Sequence, residues 1–100
     1  MMTDLADLAR EALKQVYDPE AGVNIVDMGL IYDIAEENGG VRVVMTLTSE
    51  GCPAASQILV AVEEAIANLP GSPTPDVRIT FDPPWTPEMI TADGRALLRW

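Results

Sequence analysis

The sequence predicts a compact two-layer α/β sandwich, with helices packed on a small three-stranded mixed sheet in the order α-β-β-α-β-α. Three observations carry this reading. Two stretches place apolar residues at helical spacing, two alternating runs flank Asn38-Gly39-Gly40, and a third alternating run follows the second helical stretch. One hundred residues support one core, so 1–100 reads as a single domain. With 48% hydrophobic and 22% charged residues, the composition is that of a folded chain rather than a disordered one.

Leu5, Leu8, Ala9, Ala12, Leu13 and Val16 form one apolar stripe, with Asp7, Arg10, Glu11 and Lys14 opposite. Thr3 or Asp4 can cap this first helix, and Pro19 stops it near Tyr17 by disfavouring helical geometry at Asp18. Asp18-Pro19-Glu20 then opens a loop through Gly22 and Asn24 to Asp27 and Gly29. One reading makes Asp18 and Pro19 an ordinary turn; the other holds two carboxylates and Asn24 on a rigid loop facing a metal or partner. Leu30 to Ala35 and Val41 to Thr48 alternate as strands of a hairpin, apolar on one face only, so helices should cover a single side.

Next comes Thr48-Ser49-Glu50-Gly51-Cys52-Pro53, which holds the lone cysteine where a strand pattern gives way to a helical one. Pro53 suits the first helical position and Cys52 the cap. The helix continues with Ala55, Ile58, Leu59, Val62, Ala65, Ile66 and Leu69 inward and ends at Pro70-Gly71. The third strand alternates through Val77, Ile79 and Phe81. A parallel pairing would make a right-handed crossover; periodicity leaves an antiparallel one open. Asp82-Pro83-Pro84-Trp85-Thr86-Pro87-Glu88 breaks the strand. Thr86 then resembles a cap, Met89 to Leu98 supply one or two short helices interrupted near Gly94, and Trp85 is a lid on the core or a contact surface beside the cysteine loop.

A formal charge of −10 repels nucleic acid and anionic membranes, and no apolar run is long enough to span a bilayer. The absence of histidine excludes Ser–His and Cys–His catalysis and His-ligated zinc within one chain. A lone cysteine with no export leader suggests a reducing, cytoplasmic setting. Free cysteines are mostly small core residues. Here the helix start favours a thiolate of lowered pKa, Gly51 and Pro53 allow close backbone approach, and hydroxyls of Thr46, Thr48 and Ser49 are near in sequence.

Taken together, Asp18-Pro19-Glu20, Asn24 to Tyr32, Met45 to Pro53 and Asp82 to Pro87 resemble the SufT/PaaD-like proteins of iron–sulfur cluster assembly. The resemblance implies an assembly, carrier or targeting factor rather than an enzyme, with Cys52 as the reactive residue and Asp18 and Glu20 as its acidic motif. No cysteines follow the Trp85 motif, which favours the SufT-like branch. A cluster usually takes four protein sulfurs, so one chain, or a homodimer, is incomplete. The expected cofactor is thus a transient iron–sulfur cluster or iron shared with a scaffold or client apo-protein, and none is permanently bound. Two alternatives are an acidic adaptor in the same pathway and a thiol- or persulfide-handling enzyme.

Overall fold

The computed structural model describes residues 4–99. The Thr3 cap alternative and Trp100 lie outside them. The elements are α1 (Leu5–Leu13), β1 (Tyr17–Asp18), β2 (Val23–Asn24), β3 (Ile31–Glu37), β4 (Gly40–Met45), α2 (Ala55–Ala67), β5 (Thr74–Ile79), a 3-10 turn (Pro87–Met89) and α3 (Ala92–Leu98). The sandwich is therefore as expected, with three helices and a mixed three-stranded sheet in the order β3-β4-β5. A second, two-stranded sheet of β1 and β2 was not foreseen, because two-residue strands carry no periodicity.

Asp4 caps α1 by accepting from the Asp7 N–H at 2.8 Å. The helix ends at Leu13, about one turn before the expected Tyr17. The backbone tightens there instead, with Gln15 N on Ala12 O and Val16 N on Leu13 O. Asn38 and Gly39 both have positive φ, at 46° and 80°, which is the two-residue turn that matches the twist of a hairpin. β4 then pairs in parallel with β5, Gly40 opposite Thr74 and Met45 opposite Ile79, so α2 is the crossover. This closes the orientation left open by periodicity.

Val41, Val43 and Met45 of β4 are fully buried beneath α1 and α2, whose Ala9, Leu13, Ile58, Val62 and Ile66 complete the core. Helices cover that side alone. The opposite face carries charge, with Arg42 paired to Glu37 and Asp76, and Arg78 to Asp76 at 3.2 Å. These exposed pairs add little stability, and their use is to keep the open face polar.

The C-terminal segment is tied across the loop that precedes β3. Trp85 is half-buried against the core, its indole N–H donating to Met28 O at 2.7 Å. Thr91 caps α3 by accepting from Gly94 N at 3.0 Å. The sequence suggested an interruption near Gly94, but α3 runs through it. It is buried inside α3, where an added Cβ would lie 2.7 Å from Asp27 O. The break falls earlier, at Ile90 and Thr91, where the chain is extended.

Candidate functional site

β4 delivers the chain to Leu47, and two consecutive turns follow before α2 begins. Cys52 N donates to Ser49 O at 3.3 Å, and Ala55 N to Cys52 O at 3.2 Å. Ala54, not Cys52, is the residue flanking the helix, and Pro53 lies in the turn rather than at the first helical position. The earlier assignment assumed that Pro53 starts the helix; the turns delay it by two residues. Thr48, Ser49, Gly51 and Pro53 are exposed around a buried Cys52, whereas Thr46 is wholly enclosed.

The acidic loop arrives from the other end of the sequence. Asp18 is buried, and its Oδ1 accepts from Glu20 N at 2.9 Å while its carbonyl accepts from Gly22 N at 2.8 Å. These bonds are those of the turn reading of Asp18-Pro19-Glu20. The product of the turn is the placement of Glu20, whose Oε1 accepts from Cys52 Sγ at 3.7 Å. Residues distant in the chain meet as one sulfur and one carboxylate, with Asp18 close enough to act electrostatically.

That neighbourhood reverses the expected acidity. Burial chiefly raises the Cys52 pKa; the Ala54 N–H lowers it, and the charges of Glu20 and Asp18 raise it further. The direction is opposite to the lowered value that a helix start alone suggests. Folding therefore favours the protonated thiol. This contribution to stability is intact below the ordinary thiol range and is lost as pH climbs through the raised value. Glu20→Gln removes both a charge and an acceptor, so iodoacetamide should alkylate Cys52 several-fold faster in this variant at about pH 8. Equal rates in the two proteins would show that Glu20 does not govern the sulfur.

With this geometry in view, the comparisons are decisive about lineage. Residues 7–81 match the family described as iron–sulfur cluster assembly protein. The chain belongs to that family. It is 47% identical over 88 residues to the Fe-S protein maturation auxiliary factor YitW of Bacillus subtilis, covering 87% of this chain and 86% of that one. It is 43% identical over 84 residues to the Fe-S protein maturation auxiliary factor SufT of Staphylococcus aureus, covering 83% and 96%. A crystal structure of a domain of unknown function from Bacillus anthracis superposes with a TM-score of 0.89 at 36% identity, covering 95% and 92%.

For an iron–sulfur cluster assembly protein, the donor set is sparse. Among the described residues, no three His, Cys, Asp or Glu side chains are grouped to hold a metal ion. Cys52 and Glu20 can offer one sulfur and one oxygen. Asn24 serves the fold instead: its Oδ1 accepts from Asp27 N at 2.9 Å and its Nδ2 donates to Asp27 Oδ2 at 2.8 Å. Sequence reasoning missed Asp27, which also accepts from Thr91 Oγ1 at 2.9 Å and so fastens the C-terminal segment. The Asn24-x-x-Asp27 spacing was the available signal.

Proposed function

We propose that this iron–sulfur cluster assembly protein helps mature iron–sulfur proteins by lending Cys52 as a transient ligand to iron or a cluster in transit. The observation that carries the reading is the Cys52 Sγ to Glu20 Oε1 contact of 3.7 Å, in a chain of this family. To bind iron, the sulfur must lose its proton, and Glu20 is placed to receive it and release it to water. An arriving cation offsets the two carboxylates that hold the thiol neutral, so the thiolate forms when metal is present. Until then the sulfur stays protonated, and protonation slows its reaction with oxidants.

One sulfur and one carboxylate leave most coordination positions to a second molecule, either an assembly scaffold or a client apo-protein. Such sharing keeps the cargo exchangeable, which suits delivery better than a resident redox centre. A homodimer would add a second Cys52 and still leave the set short. The setting is taken to be the cytoplasm, where reduced thiols persist; among the described residues no helix is long and apolar enough to cross a membrane. A thiol- or persulfide-transferring enzyme is less well supported, because the neighbours suppress the thiolate such chemistry requires.

The test is anaerobic delivery of iron and sulfide to an apo-acceptor, comparing wild type with Cys52→Ala and Glu20→Gln. Cys52→Ala should acquire and deliver almost none, and Glu20→Gln should bind more weakly with its thiol intact. Equal delivery by wild type and Cys52→Ala would overturn the ligand role and leave the non-catalytic adaptor as the better reading.

A further inference from the structure

A groove runs between the end of α1 and the length of α2. Its volume is about 330 Å3, and its lining is mixed, with Val16, Tyr17 and Ile58 among the apolar residues and Gln57, Glu64 and Asn68 among the polar ones. Tyr17 is 55% exposed although it is among the largest apolar side chains of the protein. Val60 is 52% exposed and stands one helical turn from both Gln57 and Glu64. Two of the three large apolar side chains exposed among the described residues, Tyr17 and Val60, thus stand at this groove or one helical turn from its lining. Along the chain the groove adjoins the candidate site: Tyr17 immediately precedes Asp18, and Gln57 lies in the first turn of the helix that follows Cys52.

The charge pattern says what fits there. No Lys or Arg occurs from Gln15 to Val41, or from Val43 to Val77, so every segment that builds the site and α2 is free of positive side chains. Asp18, Glu20, Glu50, Glu63 and Glu64 lie within those stretches. The nearest cation along α1, Lys14, is taken up by Glu11 at 3.5 Å. A surface of one sign steers and selects partners of the other, while Val16, Tyr17 and Ile58 supply apolar contact area.

We infer that the α1–α2 groove is the docking surface for a partner protein that presents an amphipathic helix, with an apolar ridge to fill the groove and flanking Lys or Arg to meet the acidic rim. This inference rests on the delivery role proposed above, because it identifies the molecule that completes the Cys52 site. A helix laid between two helices seats its i, i+3, i+4 side chains in their groove.

The experiment places a photo-crosslinking amino acid at Val60 of the full chain in living cells, with Leu97 on α3, 63% exposed, as control. Crosslinked segments are then sequenced by mass spectrometry. The expected result is an enriched product at Val60 whose attached segment is helical, apolar on one face and net positive. Tyr17→Glu and Glu64→Lys should each lower its yield about tenfold, as for a groove anchor, without changing the thermal midpoint. A yield at Val60 no higher than at Leu97, a non-basic attached segment, or a second copy of this chain as the product would each overturn the inference. Cys52→Ala separates the two proposals: it should abolish delivery and leave the crosslink intact. Normal delivery by Cys52→Ala would remove the ligand role with docking still standing, whereas loss of delivery without any Val60 crosslink would remove the groove alone.

Discussion

Gly29→Ala is expected to cost about 3 kcal/mol or more of folding stability, lowering the thermal midpoint by about 10–20 °C. Two causes add at this position. Its φ is +78°, which an L side chain adopts with strain, and an added Cβ would come 2.2 Å from Met89 O. The obstructing atom is backbone. It is held by the Met89 N–H bond to Thr86 O and, through the neighbouring residues, by Thr91 N on Asp27 O at 2.9 Å. Relief would require the segment carrying Trp85 and α3 to lift from the loop. Gly39→Ala is the internal control, because its φ is +80° but nothing lies within 4 Å of its added Cβ. It should lose only the conformational part, about 1 kcal/mol. Urea unfolding of both variants decides the matter; similar losses would mean that the contact with Met89 carries no weight.

Ile25→Ala should destabilise by about 2–5 kcal/mol, and Ile25→Val by about 0.5–1.5 kcal/mol. Ile25 is wholly enclosed, and its backbone ties the stretch before β1 to the stretch before β3 by donating to Val16 O at 2.9 Å and accepting from Leu30 N at 3.1 Å. The residue therefore anchors the far end of the loop that presents Asp18 and Glu20. A cavity beneath it loosens that loop, so the effect should reach the sulfur. Cys52 in Ile25→Ala should be alkylated faster than in wild type under conditions where both remain folded, with Ile25→Val intermediate. Destabilisation with an unchanged alkylation rate would show that the core and the acidic loop move independently.

The elements with strong local signals were legible in the sequence. Leu5 through Leu13, the Asn38-Gly39 turn, the buried row Val41, Val43, Met45 and the inward face Ile58, Val62, Ile66 each follow from spacing or backbone preference. Pro53 misled, because a proline suits the first helical residue and a turn almost equally; two backbone bonds decide for the turn. The acidity of Cys52 was illegible for a different reason. Nothing local to residues 48–54 reports a carboxylate brought from residue 20, and the sign of the shift depends on that meeting and on burial. The tie from Asp27 to Thr91 likewise joins residues 64 apart in the chain, and no local pattern reports it.

The parallel pairing of β4 with β5 sets the order of events during synthesis. Cys52 emerges from the ribosome before Thr74–Ile79, so α2 cannot be pressed onto a finished sheet until the crossover closes. The contact with Glu20 also spans 32 residues and is among the non-local contacts that are slow to gain. A nascent chain thus carries an ordinary, more acidic and more reactive thiol. The protected one appears once Cys52 is buried beside Glu20.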